Sequence, residues 1–456
     1  MDIETLMSNH QTFFQTGKTK DCSYRKAALD RLKTTIKAHE KDIMEALHSD
    51  LGKSKEEAYL TEIGMALSEL DHIRNGFERW AKPKKVRTEL FQFPAKGILV
   101  QEPFGTVLVM SPWNYPFLLC IDPLIGAIAA GNCVVLKPSA YSPETSRVIG
   151  EIVAEAFDPK HVSCIQGGRN ENALLLEQKF DYIFFTGGGV VGRMVMEKAA
   201  VNLTPVSLEL GGKSPCIIEK TANLKVAAKR LVFGKYLNCG QTCIAPDYVF
   251  VDETIKEEFL QYVIHEIQKM YGKNPLESLN YGKIINKKHF ERLLGLIPAD
   301  RVLYGGTSNE ATLQIEPTII DQVKSEDAIM QEEIFGPLMP ILSYKSLDKV
   351  EAFINGRPKP LACYVFTEDK EIQERFMKHV SFGGGCINDT IMHVASKNLP
   401  FGGVGNSGMG SYHGKKSFTT FSHEKSILKK STFFDPALRY RPYSKLDLKF
   451  VKLFLK

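Results

Sequence analysis

Between residues 105 and 212, short apolar runs alternate with segments of helical periodicity. Each run is apolar at consecutive positions, which is typical of strands that are covered on both faces. In chain order the five runs are GTVLVMSPWN (105–114), NCVVLKPS (132–139), HVSCIQGG (161–168), DYIFFTGG (181–188) and TPVSLELGG (204–212). This alternation predicts an α/β fold built on a parallel sheet with helices on both faces.

Polar side chains stand where these predicted strands end. Asn114 closes the first run, Lys137 lies near the end of the second, and residues 186–189 and Glu209 lie at the ends of the fourth and fifth. Ligands of open parallel sheets bind outside the carboxyl ends of the strands. The sequence therefore predicts a ligand site at this edge of the sheet.

The rest of the chain follows other patterns. Residues 24 to about 80 have helical periodicity, a short β-like stretch covers about 85–104, and a second β/α series runs from 213 to about 410. The later predicted strands of that series are YGKIIN (281–286), MPILSY (339–344) and ACYVFT (362–367).

Composition limits the classes of function. The 58 basic and 53 acidic residues leave a net charge of +5, which is too small an excess to indicate nucleic-acid binding. The nine cysteines are scattered and odd in number, so we expect a reducing compartment, the cytoplasm. The N-terminus has no secretory pattern, and no apolar run reaches the ~18–20 residues of a membrane span.

A glycine motif points to a dinucleotide. Gly187, Gly189 and Gly192 fit G-x-G-x-x-G between a strand-like and a helix-like run. Glu209 lies 22 residues beyond Gly187, near the place of a ribose-binding carboxylate. A single glycine triplet is weak evidence, and Glu209 alone is more simply explained as a solvated strand end or a salt-bridge partner.

Cys243, in NCGQTCIAPD, is the most reactive candidate. A thiolate is a strong nucleophile, although an isolated cysteine is more often a small buried apolar residue. Cys239, four residues earlier, raises the alternatives of a metal site or a disulfide. No second Cys/His pair has zinc-ligand spacing, so we predict no metal. Asn114 lies between aromatic residues, where an amide is costly to bury unpaired, although a simple turn also explains it.

Seven motifs occur together and in order: SPWNYPF, LKPS, FFTGG, LELGGKSP, GQTC, EEIFGP and LPFGGVGNSG. The set resembles the aldehyde dehydrogenase superfamily. NDTIMHV and SYHGKKSF resemble its class-3 and fatty aldehyde dehydrogenase branch. The motifs run from about residue 100 to 420, and the helical N-terminal part also fits.

The resemblance implies a subunit of three parts. Residues 1–84 and 104–210 would form a coenzyme-binding domain, and residues 211–410 an α/β catalytic domain. Residues 85–103 and 411–430 would form a small β bridging element that joins subunits, which suggests a homodimer.

The resemblance also implies roles, carried over motif by motif. Cys243 would be the nucleophile, Glu209 the general base and Asn114 the oxyanion donor, together with the Cys243 backbone N–H. The residues expected to bind NAD(P) are Lys137, Thr186, Gly187, Gly188, Gly192, Glu333 and Phe335, with Lys137 on the adenosine ribose and Glu333 on the nicotinamide ribose. Tyr59, His393 and Phe401 are candidates for the substrate pocket.

The implied reaction explains why these residue types are needed. Attack of a thiolate on an aldehyde gives a tetrahedral hemithioacetal whose oxyanion can expel hydride. The thioester that remains must then be hydrolysed, which requires a general base for water. Glu209 is therefore assigned to the thioester and not to the ribose.

Two departures from the family pattern concern the cofactor. Gly188 stands where many relatives have Ser or Asn, so one hydrogen bond to the pyrophosphate is lost. Ala140 stands where many relatives carry a glutamate that binds the adenosine ribose. Without that carboxylate a 2′-phosphate meets less repulsion, so we predict that NADP is tolerated alongside NAD.

The C-terminal residues 431–456 read as a basic amphipathic tail. One helical face carries Lys445, Lys449, Lys452 and Lys456, and Leu446, Phe450, Leu453 and Phe454 lie off that face. Such a segment can lie on a membrane surface as a helix, pack on a partner subunit, or be disordered. It is too short to span a bilayer.

Two rival functions remain open at this point. A CoA-acylating dehydrogenase or acyl reductase would use the same cysteine with another acyl acceptor. Alternatively, the fold could serve as a binding or structural protein without catalysis. Acid formation from an aldehyde in the absence of CoA separates the three.

Overall fold

The computed structural model describes residues 2–435, 439–442 and 445–454. Lys456, which belongs to the predicted basic face of the tail, lies outside the described residues. Tyr59–Ile63 forms a π-helical turn between two α-helices.

In the described ranges the α-helices are α1 (Ile3–Gln15), α2 (Cys22–Ala38), α3 (Glu40–Leu51), α4 (Lys55–Ala58), α5 (Gly64–Trp80), α6 (Leu118–Ala130), α7 (Pro143–Ala156), α8 (Arg169–Glu177), α9 (Gly189–Val201), α10 (Leu224–Tyr236), α11 (Lys256–Tyr271), α12 (Lys287–Leu294), α13 (Leu347–Asn355), α14 (Lys370–His379), α15 (Lys415–Thr420) and α16 (Lys445–Phe454).

The strands of the same ranges are β1 (Lys84–Val86), β2 (Ala95–Pro103), β3 (Thr106–Met110), β4 (Cys133–Lys137), β5 (Val162–Cys164), β6 (Tyr182–Thr186), β7 (Val206–Glu209), β8 (Pro215–Ile218), β9 (Tyr248–Asp252), β10 (Val302–Tyr304), β11 (Ser308–Asn309), β12 (Gln314–Ile315), β13 (Thr318–Ile320), β14 (Leu338–Tyr344), β15 (Ala362–Phe366), β16 (Gly384–Ile387), β17 (Gly408–Met409) and β18 (Ser422–Lys430).

The first sheet has the order β5-β4-β3-β6-β7-β17. All five predicted strands are present and pair in parallel, and only the short β17 is antiparallel to its neighbour. The register places Met110 beside Lys137 and Thr186 beside Glu209, at one edge of the sheet. The predicted parallel-sheet α/β fold is confirmed.

Burial on both faces explains the unbroken apolar runs. Every residue of β3 and β4 is buried, and α6 is buried along almost its whole length. Gly131 ends α6 in the left-handed region, at φ +101°, and a Cβ there would lie 2.8 Å from the Thr19 carbonyl oxygen. Glycine is therefore required at this helix end.

The second sheet has the order β10-β13-β14-β9-β8-β15-β16. The runs MPILSY and ACYVFT form β14 and β15, whereas the prediction of a strand at YGKIIN (281–286) is wrong. Ile284 is buried as a strand residue would be, but its N–H bonds the Leu313 carbonyl, while the Ile285 N–H bonds the Gln241 side chain. The apolar run reflects burial, and a buried segment need not form the hydrogen bonds of a β-sheet.

The third sheet, β1-β2-β18, is long, antiparallel and largely exposed. The division of the chain into domains stays a prediction. Within the described residues no helix is long and apolar enough to cross a bilayer, and no group of three or more His, Cys, Asp or Glu side chains is arranged to hold a metal.

Candidate active site

Cys243 lies on a loop, and the backbone bends sharply just before it. Asn238, Cys239 and Gly240 all have positive φ, at +52°, +53° and +73°. A Cβ on Gly240 would lie 2.3 Å from the Gly336 carbonyl oxygen, so only glycine fits there. The turn ends α10 and carries the chain towards Cys243.

The Asn114 loop is tied to this turn. Asn114 is buried, and its side-chain amide donates to the Gln241 carbonyl at 3.0 Å. Its own carbonyl accepts a hydrogen bond from the Asn238 amide at 2.7 Å. The Tyr115 and Thr242 hydroxyls are 2.6 Å apart. The Asn114 amide is therefore held against Gln241, which lies two residues before Cys243 in the chain.

A buried ion pair contacts the backbone of the Asn114 loop. The side chains of Lys53 and Glu62 are both fully buried, and Lys53 Nζ lies 2.5 Å from Glu62 Oε1. Lys53 Nζ also contacts the Asn114 carbonyl oxygen at 3.4 Å, and Glu62 accepts from the Phe117 N–H at 2.8 Å, at the start of α6. Sequence reasoning missed this pair, since neither side chain stands in one of the motifs.

The environment of Cys243 opposes ionisation of its thiol. Burial raises the pKa of the thiol, and the negative charges of Glu333 and Glu209 raise it further. The backbone N–H groups of Cys243 and Ile244 approach the sulfur and partly oppose this rise in pKa. The Glu209 and Glu333 carboxyls are therefore close enough to act on the sulfur, and the thiolate needs either a base or a new positive charge.

Glu209 is an unpaired carboxyl at the end of β7. Its side chain is 2 % exposed, and neither carboxylate oxygen has a hydrogen-bond partner in the described ranges. Burial raises the pKa of this carboxyl well above its ordinary value. A general base works best when its pKa lies near the working pH, and burial shifts Glu209 in that direction.

The glycines after β6 divide into two kinds. A Cβ on Gly187 would lie 2.6 Å from the Phe185 ring, and one on Gly192 would lie 2.7 Å from Leu210. Around Gly188 and Gly189 the space is open, and Gly188 precedes α9 without a side-chain cap. The open helix N-terminus can accept a phosphate, which fits the cofactor expectation.

Lys137 ends β4 on the same edge of the sheet. Its Nζ donates to the Gly167 carbonyl at 2.7 Å and to the Pro138 carbonyl at 2.9 Å, which leaves one donor for a ligand. Burial lowers the pKa of this ammonium group. Thr186, next to Glu209 in the register, has a buried hydroxyl without a partner in the part of the chain that is described.

Glu333 reaches into a second part of this edge. The Gly212 N–H donates to its Oε1 at 3.1 Å, and a Cβ on Gly211 would lie 2.1 Å from its Oε2. Burial and the charge of Asp247 raise the pKa of Glu333 to about 8. The backbone of the LELGG motif is thus shaped around the Glu333 carboxyl.

A cavity of about 240 Å³ opens beside Glu333. Its walls include Gly189, Leu210 and Lys359 as well as the glycines of the LELGG motif. Phe335 stands close by with φ +52°, and its ring meets the edge of Trp113 at 5.3 Å. This edge of the sheet therefore has an open helix N-terminus, one remaining donor of the Lys137 ammonium and the partly buried Glu333 carboxyl. These groups fit the phosphates and ribose hydroxyls of NAD(P).

A separate apolar cavity of about 230 Å³ ends on Cys243. Its apolar walls come from several segments that are distant in sequence, and they include Leu60, Leu119, Phe233, Ile391 and Phe401. Tyr115, Thr242 and Asp122 add the main polar groups. Its shape and lining fit an aldehyde with an apolar body.

Two of the three predicted pocket residues lie outside this lining. Tyr59 begins the π-helical turn, and its ring packs on Gly64, so Leu60 and Thr61 face the cavity instead. The ring of His393 is 6.2 Å from the ring of Phe401, and its Nδ1 is 3.5 Å from the Cys386 sulfur. Burial lowers the pKa of His393 to about 4.

The family profile of the Aldehyde dehydrogenase family matches residues 1–427 of the chain. The chain belongs to the aldehyde dehydrogenase family. The resemblance deduced from the motifs is thereby confirmed, and this aldehyde dehydrogenase is an enzyme, as predicted.

Close relatives cover the whole of this aldehyde dehydrogenase. It is 49% identical to the 4,4'-diaponeurosporen-aldehyde dehydrogenase of Staphylococcus aureus (strain NCTC 8325 / PS 47), over 100% of this chain and 99% of that protein. It is 43% identical to aldehyde dehydrogenase family 3 member H1 of Arabidopsis thaliana, over 99% of this chain and 94% of that protein. The solved substrate-bound state of Staphylococcus aureus AldH superposes with a TM-score of 0.98, at 49% identity and 100% coverage of both chains.

Proposed function

We propose that this aldehyde dehydrogenase oxidises an apolar aldehyde, aliphatic or aromatic, to its carboxylic acid through a thioester on Cys243. The observation that supports it most is the apolar cavity that ends on Cys243, with the Glu209 carboxyl close enough to raise the pKa of the thiol. The proposed site thus has a nucleophile, a base and an apolar approach.

The thiol proton passes to solvent water, and the Cys243 thiolate attacks the aldehyde carbon to form the C–S bond. The oxygen becomes an oxyanion, for which the Asn114 amide and the Cys243 N–H are the proposed donors. One amide hydrogen of Asn114 is held by the Gln241 carbonyl, which leaves the second for the oxyanion. The tie to Gln241 thus fixes the direction of the free donor.

Bound NAD(P) would supply the acceptor for the hydride of the tetrahedral carbon. The residues proposed to hold it are Lys137, Glu333, Phe335 and the turn of Thr186–Gly188 with Gly192 behind it. The support is structural fit: Glu333 lies against the LELGG backbone, and the start of α9 is open. Glu333, not Glu209, is thus the carboxylate proposed for a ribose.

Hydrolysis of the thioester needs a base beside the acyl carbon. Glu209 has no hydrogen-bond partner in the described ranges, so its oxygens are free to accept a proton from water. Proton abstraction from water lets the hydroxide add to the thioester carbonyl, and the Cys243 thiolate leaves. This arrangement favours water as acyl acceptor over CoA, which is the alternative activity.

For the cofactor we propose NAD, with NADP tolerated. Ala140 is exposed and follows the KPS motif, so no carboxylate from this position opposes a 2′-phosphate. A kcat/KM ratio that favours NAD by more than about a thousandfold, about 4 kcal/mol, would contradict this proposal.

We further propose a homodimer and a cytoplasmic enzyme. Beside the third sheet, Phe91, Phe93 and Leu428 expose about half or more of their surface, and light scattering on the purified enzyme tests whether a second copy covers them. All nine cysteines are free, which supports a reducing compartment, and fractionation of the native cells tests it.

The tail is proposed to touch a membrane surface. Leu446, Phe450 and Leu453 of α16 are exposed beside the lysine face. Deletion of residues 445–456 should abolish co-sedimentation with anionic liposomes. Unchanged co-sedimentation would instead leave α16 as a helix that packs on the partner subunit.

The first experiment measures reduction of NAD and NADP by purified enzyme with aldehydes from acetaldehyde to hexadecanal and benzaldehyde, without CoA. We expect turnover and acid formation that Cys243→Ala abolishes. Turnover only after CoA is added would establish the acylating alternative. No turnover with any aldehyde, with or without CoA, would refute the proposed function.

A further inference from the structure

Asp122 is a buried carboxyl that the proposed reaction does not use. It lies on α6 and lines the apolar cavity that ends on Cys243. Its side chain is 3 % exposed, and its Oδ1 has no hydrogen-bond partner in the part of the chain that the structure describes. Its Oδ2 is 4.0 Å from His413 Nε2, beyond hydrogen-bond distance. An unpartnered buried carboxyl is costly, so it needs an explanation.

A smaller cavity, the distal cavity, adjoins the apolar cavity at Asp122. Met65, Asp122, Val394, Ala395 and His413 line both cavities. The far walls of the distal cavity are polar and consist of Ser68, Glu69, Ser396 and Lys397. A substrate that fills the apolar cavity therefore presents its far end to polar side chains.

Position along α6 separates Asp122 from the reactive end. Leu118 and Asp122 both line the apolar cavity and are one helical turn apart, about 6 Å along the axis. Tyr115, before the helix, bonds Thr242 next to Cys243. Asp122 thus lies one helical turn beyond Leu118, away from the Tyr115–Thr242 contact.

The groups around the distal cavity favour a neutral Asp122. Burial and the charge of Glu69 raise the pKa of the Asp122 carboxyl. Glu69 itself accepts from the Gly414 N–H at 2.5 Å and from the Ser417 hydroxyl at 3.5 Å. Burial lowers the pKa of His413 to about 4, so this imidazole supplies no positive charge at neutral pH. Of the surrounding side chains, Lys397 is the cation.

We propose that the distal cavity binds a hydroxyl group at the far end of an otherwise apolar aldehyde, with Asp122 as its hydrogen-bond partner. The inference rests on the proposed function and adds the class of substrate, an ω-hydroxyaldehyde. A carboxyl that keeps its proton can both donate to a hydroxyl and accept from it.

The size of the distal cavity selects a small group. It has room of about 20 Å³, and a cavity of about 10–15 Å³ already holds one water-sized group. A hydroxyl fits this space. A charged end would also have to cross the apolar cavity without its hydration shell, at high cost.

The test compares two series of aldehydes of equal length: hexanal, octanal and decanal against their ω-hydroxy counterparts. The measured quantity is the ratio of kcat/KM for the hydroxylated and plain aldehyde at each length. We expect the ratio to reach about tenfold at the length that brings the hydroxyl to Asp122, which is about the worth of one well-formed hydrogen bond. At a shorter length the hydroxyl stays in the apolar cavity, so the ratio should fall below one.

Two variants separate Asp122 from a general effect of polarity. Asp122→Asn keeps a donor and an acceptor and should keep the preference, largely through KM. Asp122→Leu should remove it and favour the plain aldehyde. Because each ratio is taken within one protein, a partial loss of folded enzyme cancels.

A wild-type enzyme that oxidises the plain aldehydes at least as well as their ω-hydroxy counterparts at every length overturns the inference and leaves the proposed function intact. A preference that survives Asp122→Leu also overturns it. Failure to oxidise either series without CoA refutes the proposed function itself, and the inference with it.

Discussion

Replacing Glu333 with glutamine should stabilise the protein at neutral pH while weakening its cofactor binding. Burial and the charge of Asp247 raise the pKa of the Glu333 carboxyl to about 8. In the unfolded chain the same carboxyl has its ordinary value of 4.5. Between these values the unfolded state has released the proton and the folded state has kept it. Stability is therefore fully present below pH 4.5 and is lost as pH rises towards 8.

The size of the effect follows from the interval. Each pH unit in it costs about 1.4 kcal/mol, so at about pH 7 the Glu333 carboxyl reduces stability by about 3 kcal/mol. Glutamine keeps the oxygen that accepts from the Gly212 N–H and has no charge to bury. For a chain of 456 residues that unfolds as one unit, this corresponds to an increase in Tm of about 3 °C.

The assay is thermal unfolding of the wild type and Glu333→Gln without cofactor, at about pH 5, 6, 7 and 8. The Tm difference should be small at pH 5 and grow with pH, while KM for NAD rises. Glu332→Gln is the matched control, because Glu332 is the neighbouring carboxylate and is exposed. A Glu333→Gln protein that is no more stable than wild type, or whose advantage does not change with pH, refutes the reasoning.

Three further substitutions test the assignments at the sheet edge. Glu209→Gln should leave NAD affinity intact and slow hydrolysis by about 10²–10⁴, so that a burst of reduced cofactor is followed by accumulated acyl-enzyme; loss of NAD affinity without a burst would remove Glu209 from this role. Asn114→Ala should lower kcat/KM by about 10²–10³ with little change in NAD affinity, and a loss below tenfold would exclude it as an oxyanion donor. Gly211→Ala places a methyl group 2.1 Å from Glu333 Oε2, so the carboxyl must move, and KM for NAD should rise at least tenfold. Gly295→Ala is its control, because a Cβ there would meet no atom closer than 3.5 Å and Gly295 lines neither the cavity beside Glu333 nor the apolar cavity; equal effects of the two would contradict the argument.

The first sheet was predictable because its strands are covered on both faces. Such strands need apolar residues at every position, and this pattern survives in a single sequence as in residues 106–110 and 133–137. The segment 281–286 has the same apolar character but anchors its backbone to Leu51, Gln241 and Leu313. Those partners are remote in sequence, so no local pattern distinguishes the segment from a strand.

The reactive residues could be placed by motif, but their supports could not. Cys243 and Glu209 stand in short patterns that chemistry makes recognisable. Lys53 and Glu62 act through the backbone of the Asn114 loop, and a carboxyl of Glu57 bonds the Asn238 N–H at 2.8 Å. No sequence motif marks these charges, and only tertiary packing shows that Lys53 and Glu62 are buried.

The apolar cavity shows the same limit in a sharper form. Its lining combines α6 with segments near Leu60, Ile391 and Tyr412, and a π-helical turn decides which side chain of 59–61 enters it. One extra residue in that turn rotates the following side chains around the helix, so the choice between Tyr59 and Leu60 depends on backbone geometry that α-helical spacing does not predict.

The unpaired buried carboxyls connect these observations. Well-packed proteins pair such groups, and exceptions cluster where function requires them. Glu209 has no hydrogen-bond partner among the described residues, and its burial favours the neutral carboxyl until a proton can be transferred. Burial likewise raises the pKa of the Cys243 thiol, the nucleophile whose proton must leave. The site at rest therefore favours the uncharged thiol of Cys243 and the uncharged carboxyl of Glu209, which suits entry of an apolar aldehyde. Each group becomes charged only during the reaction.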